Sequence, residues 1–348
     1  MNKDTKKLFG FLSHNNKFSL IFRGIMAILF IVLAIAFTIS ITYSMVMEEN
    51  FYKNRKSGSE KTEYNKSFLV VMVQSSNDFL TRFREAILHD AEERQIRIDF
   101  VNVESIGEAI DAINTAVAAK ADGIIAQGIF DADYIEAINQ AIAKGIMVQF
   151  VYTDARGTDR DYFVGYNAYD FGKRAARCAI EELPNSPSSV ALMVQSITDV
   201  EKDVTSSLFV EGFKSVIDKH PMVTIVDIVR TSYDLFSAED TTYDILNRYP
   251  TLDAIVCTSE KDTFGAAQVI IDLNRVAKTS IIGAGVSDDI LKYIELEVIA
   301  ASFDMNPEIM SSESLNIMLE EKAASEYVEV PITTVASNNV KFFRRKKS

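Results

Sequence analysis

The residues able to do covalent chemistry are few and badly spaced for it. There are three histidines. His14 lies near the N-terminus, His89 falls on the polar face of a predicted helix, and His220 stands before Pro221. None has a metal-ligating companion at useful spacing. No G-x-S-x-G elbow is present, so a hydrolase serine lacks its usual turn. Gly283-Ala284-Gly285 is a fragment of a dinucleotide fingerprint without the third glycine, which argues against a nicotinamide cofactor. Cys178 and Cys257, the two cysteines, fall on a predicted helix and a predicted strand and read as small buried apolar residues. The expectation is a protein that is not an enzyme and that uses no cofactor and no metal. The side chains that remain are those of recognition: Asn77, Phe79, Asp154, Tyr233 and Ser259. Each falls at or just after the carboxyl end of a predicted strand, where open parallel sheets place their ligands. The bland readings stay beside these: Phe79 as core packing, Asn77 as a helix cap, and Ser259 as the cap of the helix that follows it.

Positioning such residues takes a regular frame, and the hydrophobic pattern supplies one. Strands are predicted over 67–74, 96–105, 122–129 and 146–154, with helices over 77–95, 106–120 and 132–145 between them. The alternation then restarts. Helices are predicted over 169–183, 206–220, 238–250 and 262–275, and strands over 188–196, 223–232, 252–260 and 279–287. A last strand and helix share 297–323, followed by an extended tail. Two successive α/β series imply two similar lobes with parallel sheets. A closed eight-stranded α/β barrel is the runner-up on periodicity alone. The two lobes are expected to divide near 165–170, with a return near 285–306 and a last crossing near 324–330.

Charge separates the beginning of the chain from the rest. The whole carries 36 basic and 49 acidic residues, a net charge of −13, which disfavours binding of nucleic acid through a basic surface. Residues 1–23 hold five basic residues against Asp4, leaving 31 basic and 48 acidic residues beyond them. Residues 24–47 contain no charged side chain, and about 20 apolar residues suffice to cross a bilayer core. The run is longer than a signal peptide's apolar region and ends in Tyr43, Met45, Val46 and Met47 rather than small residues. An uncleaved membrane anchor is therefore expected, with residues 1–23 cytoplasmic, 48–66 a linker, and 67–348 the two-lobed domain. The basic N-terminal flank favours that orientation, although Lys53, Arg55, Lys56, Lys61 and Lys66 on the other flank weaken the bias.

Several segments, in order, carry a resemblance. They are VVMVQSSNDFLTRFREA, ADGIIAQG, GIMVQFVYTDARGTDRDYFVGYNAYDFG, VEGFKSVI, YPTLDAIVCTSEKDTFGAAQVI and SIIGAGVSDD. Over about residues 67–340 the chain resembles type I periplasmic binding proteins of the ribose and galactose class. The resemblance implies two Rossmann-like lobes joined by a three-stranded hinge, with a sugar in the cleft and the large domain outside the cell. It matches Asn77 and Phe79 to a hydrogen-bonding residue and a stacking aromatic, and Tyr233 to an aromatic of the second lobe. Gln127 follows the third strand, Tyr152 replaces a sugar-binding Asp, and Ser259 precedes Glu260 where the family has Asn-Asp. Met305 takes a polar hinge position, with Asn306 beside it. The family's Arg falls near Ser207 and Phe209 here, and a further Asp at Gly285. Loss of these charged positions implies a less polar ligand, or that Asp154, Asp199 and Asp288 have taken their place, or weak affinity. The implied partners are a sugar-like molecule, the membrane, and a sensor histidine kinase. A sugar ABC permease, or a module that has lost its ligand and binds a partner, are the alternatives.

Overall fold

The computed structural model describes residues 64–73, 78–195, 204–231, 237–320 and 325–344. The expected anchor at 24–47 and linker at 48–66 lie outside them, apart from residues 64–66. No helix among the described residues is long and apolar enough to cross a membrane.

Continuous apolar runs bounded by short loops make strands that are buried on both faces. β1 (Lys66–Val73) is buried from Phe68 to Met72, and β3 (Gly123–Gln127) throughout. Between the strands of the first series lie α1 (Asp78–Glu93), α2 (Ile106–Ala118) and α3 (Ala132–Ala143). Ser105 and Asp131 begin α2 and α3 by accepting hydrogen bonds from first-turn amides that have no partner inside the helix. With β2 (Ile96–Val103), β4 (Met147–Val151), β5 (Tyr162–Gly165) and β11 (Tyr327–Glu329) these strands form one parallel six-stranded sheet, in the order β11-β5-β4-β3-β1-β2.

The second series builds a similar sheet, in the order β12-β10-β9-β8-β6-β7. Its strands are β6 (Ser188–Gln195), β7 (Val223–Thr231), β8 (Ala254–Cys257), β9 (Ser280–Ile282), β10 (Ala301–Asp304) and β12 (Thr333–Ala336). Only β12 runs antiparallel to its neighbour, β10. Its helices are α4 (Ala168–Glu182), α5 (Val204–Ile217), α6 (Ser237–Arg248), α7 (Glu260–Asp272) and α8 (Asp288–Glu295). α4 and α5 press together at two glycines. A Cβ on Gly172 would stand 2.0 Å from the Phe209 carbonyl oxygen, and one on Gly212 would stand 2.0 Å from that of Tyr169. α9 (Pro307–Glu320) follows β10 but packs on α1, β4 and β5, so it belongs to the first lobe.

The chain therefore passes between lobes at 166–167, 305–306 and 330–332. The last crossing falls just beyond the expected 324–330, because the tail read as extended is two short strands, β11 and β12, one added to each sheet. Two open sheets replace the barrel alternative. One apolar cluster fills the outer side of each sheet. A third runs through both lobes and the hinge, from Phe83 and Val151 through Phe171 and Phe209 to Phe303 and Met305.

Candidate ligand-binding site

The carboxyl ends of both sheets face a common cleft, the place where open parallel sheets hold ligands. Its floor is aromatic. Phe79, in the first turn of α1, packs against Tyr152 at 4.3 Å between ring centroids. Tyr152 lies 5.7 Å from Tyr166, and Tyr166 meets Phe171 edge-on at 6.0 Å. Phe171 then touches Phe209 at 4.8 Å and Phe303 at 5.2 Å. The row leads from the first lobe through the first crossing into the second lobe.

Tyr152 stands in the row through an unusual backbone. Its φ is +69°, a left-handed value that costs a non-glycine residue on the order of 1–2 kcal/mol. The surroundings impose it. The Tyr152 amide donates to the Val164 carbonyl at 3.0 Å, and the next amide, of Thr153, donates to Val151 at 2.8 Å. The Thr153 hydroxyl donates to the Gly128 carbonyl at 2.9 Å, clamping the end of β4 to that of β3.

Two cavities open off this row, and both are lined by Tyr152, Gln195 and Thr258. The first is neutral, with Tyr166, Phe171 and Phe209 on its walls and Thr153, Thr205 and Ser206 as polar groups. The second is charged, with Asp78, Arg82, Glu260 and Asp304 beside Phe79 and Phe303. Each leaves about 40 Å³ of free space, on the order of three water molecules at ~10–15 Å³ apiece.

Polar contacts join the lobes across the charged cavity. The Asp78 amide, at the start of α1, donates to Glu260 Oε2 of the second lobe at 3.2 Å. Arg82, one turn along α1, donates to both Asp304 oxygens at 2.9 Å and to both Glu308 oxygens at 2.7 and 2.6 Å. Burial by itself would lower the guanidinium's pKa, but the bonds to Glu308 and Asp304 outweigh it and hold the charge on.

Glu260 is the strained member. Burial pushes its carboxyl up to about 7, against hydrogen bonds from the Asp78 amide and the Ser287 hydroxyl that pull it down. The nearby Asp78 charge adds to the rise, and Arg82 opposes it. Room for this carboxyl comes from Gly285, where a Cβ would stand 2.9 Å from Glu260 Oε2, and whose φ of +91° also favours glycine. The sign of the consequence follows from proton binding. Between about pH 4.5 and 7 the folded state keeps a proton that the unfolded state has lost, so stability falls as pH rises through this window. At ~1.4 kcal/mol per pH unit, reduced for partial solvent contact, the fall is roughly 2–3 kcal/mol. Glu260→Gln should abolish it, leaving the variant the more stable of the two at pH 8. Urea unfolding at pH 5 and pH 8 measures this; the same pH dependence in both proteins would exclude Glu260 as its source.

The residues expected from sequence divide accordingly. Phe79 and Tyr152 line the cleft together. Ser259 lines the charged cavity, but its hydroxyl caps α7, donating to Asp262 Oδ2 at 2.7 Å and accepting from the Asp262 amide. Gln127 is 4% exposed and lines neither cavity; its side chain accepts from the Val73 amide at 3.2 Å. Asp154 forms a two-pronged ion pair with Arg160 and also lines neither cavity. Asn306, with φ +49°, ties the second crossing to the third through Thr333 at 3.0 Å and the Pro331 carbonyl. Asn77, Tyr233 and Asp199 lie outside the described residues. Met305 and Gly285 line the charged cavity, and Phe209 lines the neutral one.

Arg82, Asp304 and Tyr166 were not picked out from sequence; Glu260 was noted there only beside Ser259, at the family's Asn-Asp position. Arg82 lies one turn beyond Phe79 on α1, a spacing that places both on one helix face. Its carboxylate partners Asp304 and Glu308 lie more than 220 residues away, so no local pattern reveals them.

A family model described as a periplasmic binding protein domain matches residues 68–324. The chain belongs to this periplasmic binding protein family. It is similar to the D-allose-binding periplasmic protein of Escherichia coli (strain K12), 19% identical over 273 residues, which span 75% of this chain and 86% of that protein. Among solved structures it resembles GanP, a glucose-galactose binding protein from Geobacillus stearothermophilus. The TM-score is 0.71 at 25% identity, covering 79% of this chain and 98% of that one. It also resembles a chain of the XylFII-LytSN complex, with a TM-score of 0.69 at 25% identity, covering 78% and 98%. The first two of these are described as binding proteins, in keeping with a cleft built from recognition groups. Among the described residues no cluster of His, Cys, Asp or Glu could hold a metal ion.

Proposed function

We propose that the chain is a membrane-anchored, extracytoplasmic sugar-binding protein. It senses its ligand by lobe closure and passes the signal to a membrane partner such as a histidine kinase. The observation that carries the ligand half is the cleft itself: an aromatic row beside convergent neutral and charged groups, contributed by both lobes. An aromatic face suits the C–H side of a sugar ring, while the ring hydroxyls need paired donors and acceptors. A ligand that touches both lobes only when they are closed shifts the population to the closed state. The similarity to GanP and to the allose-binding protein supports this reading. The uncharged run at 24–47 supports anchoring, and the likeness to a chain found in complex with LytSN supports a protein partner; delivery to an ABC permease is the alternative.

Asn77, Phe79, Gln127, Tyr152, Asp154, Tyr233, Ser259 and Asn306 are the residues proposed from sequence. Of these, Phe79 and Tyr152 have the best placement. Phe79→Ala should weaken sugar binding by about 1–3 kcal/mol, the loss of a buried aromatic contact. Calorimetric titration of the variant and its parent decides it; equal affinities would make Phe79 a packing residue only.

The small volume of the two cavities favours a second reading, a module that binds a partner protein and no sugar. A thermal-shift screen of the full chain against pentoses and hexoses separates the two. A sugar at 100 times its Kd adds about 2.7 kcal/mol to stability, whereas a panel without any shift would support the second reading. N-terminal sequencing of the mature protein tests the anchor. A sequence that retains residues 24–47 is expected, and a new start near residues 44–50 would refute anchoring.

A further inference from the structure

A groove of about 280 Å³ opens between α6, α7 and α8 of the second lobe, roomier than either cavity of the cleft. Glu239, Tyr243, Gln268, Ile271, Asp272 and Tyr293 line it. Tyr243 and Ile271 are exposed, so the groove is partly apolar and open to solvent. Neither of its carboxylates, on Glu239 and Asp272, forms an ion pair among the described residues. No basic side chain among the described residues lines it, and residues 232–236, just before α6, include Asp234 but no Lys or Arg. Asp272 ends α7, whose last turn carries no basic residue of its own. The unpaired carbonyls of a helix C-terminus carry partial negative charge, so this end of the groove favours a cation on two counts. Tyr243 and Tyr293 add aromatic rings, on which a guanidinium can stack.

The described chain ends beside these helices. A turn of 3-10 helix, Val340–Phe342, packs on α8, and Phe343 joins Tyr293 against the same apolar cluster. Arg344 then donates to both oxygens of Glu295 on α8, through Nε at 2.8 Å. Beyond it come Arg345, Lys346, Lys347 and Ser348. Glu295 and Tyr293 stand two residues apart and so on different sides of α8. A helix with its side chains is about 10–12 Å across, and four extended residues span roughly 13–14 Å before side-chain length is added. That is enough chain to round α8 and reach the groove. We propose that this basic end docks there, the Arg345 guanidinium against the tyrosines and the lysines paired with Glu239 and Asp272. Exposed ion pairs are individually weak, but a segment tethered at Arg344 meets the groove at high effective concentration. Docking fastens the end of the chain to α6, α7 and α8, and with it β12 and the third crossing at 330–332.

The test uses the full chain purified in detergent, as an equal mixture of isotope-labelled and unlabelled protein at low ionic strength. A water-soluble carbodiimide joins an ammonium to a carboxylate where the two are in contact, and mass spectrometry of the digest locates the links. Lys346 and Lys347 should join Glu239 and Asp272 in ten-fold or greater yield over Asp240, Asp244 and Glu297, exposed carboxylates on or beside the same helices. Both halves of each link should carry the same label. Arg345→Glu, which leaves both lysines in place, should cut the yield at least five-fold, and added salt should lower it as well. Links spread evenly over all these carboxylates, or no link to Glu239 or Asp272, would overturn the docking. So would a yield that Arg345→Glu leaves unchanged. Links of mixed label in half of the pairs would overturn docking within one chain and assign the groove to the tail of a second copy.

Discussion

Arg82→Ala should destabilise the two-lobed domain by about 3–5 kcal/mol, the cost of leaving a buried carboxylate without its partner. The Arg82 side chain is 11% exposed and that of Asp304 5%, so water cannot replace the lost guanidinium. Asp304 ends β10 at the second crossing, and its Oδ1 also accepts from the Asn306 amide at 3.1 Å. The lost pair therefore loosens the hinge as well as the cleft wall. Glu308 provides the contrast. Its side chain is 50% exposed, and Glu308→Ala should cost less than about 1 kcal/mol, as exposed ion pairs do. Urea midpoints of the two variants compare them directly. Similar small losses would mean that Arg82 is solvated and does not bridge the lobes.

Phe171→Ala should cost a similar amount, about 3–5 kcal/mol, from lost transfer energy and the cavity left behind. Phe171 is 2% exposed and contacts three other rings, Tyr166, Phe209 and Phe303. These rings come from the first crossing, α5 and β10, so one truncation loosens the joint between helix and hinge. Phe171→Leu, which keeps most of the volume, should recover most of the loss. Thermal unfolding of both variants checks this. A loss below 1 kcal/mol in Phe171→Ala would show that the row collapses to fill the gap and that this ring does not organise the floor.

The frame was readable because each lobe repeats one unit, an apolar strand followed by an amphipathic helix. Runs such as Phe68–Met72 or Ala254–Cys257 have few alternatives to burial in a parallel sheet. The elements that escaped were short. β5, four residues long, lies inside the stretch leading to the first crossing, and α8 begins directly after the Gly-rich turn at 283–287. β11 and β12 take their strand form from β5 and β10, which precede them by more than 160 and about 30 residues. Their own three or four residues carry no alternation strong enough to announce it.

The site was readable only in part, for related reasons. Phe79 shows itself as an aromatic in the first turn after a strand. Tyr152 stands at a strand end, but its left-handed backbone depends on Val164, Gly128 and Thr153, and no residue type at position 152 signals it. Ser259 has two uses that its type does not distinguish, and the structure shows it capping α7. The charge lost at Gly285 was sought at Asp154, Asp199 and Asp288. Asp154 is held by Arg160 outside both cavities. Glu260 brings a carboxyl into the space beside Gly285, through a contact made possible by the very absence of a side chain there. The carboxyl at 260 was visible along the chain beside Ser259, but its contact with Gly285 was not.

Calorimetric titration of the full chain with pentoses and hexoses tests the central claim most directly. A one-to-one exothermic association with at least one of them is expected, with a negative heat-capacity change from burial of the aromatic row and closing of the lobes. The absence of binding heat for every sugar at millimolar concentration, at two temperatures, would contradict it.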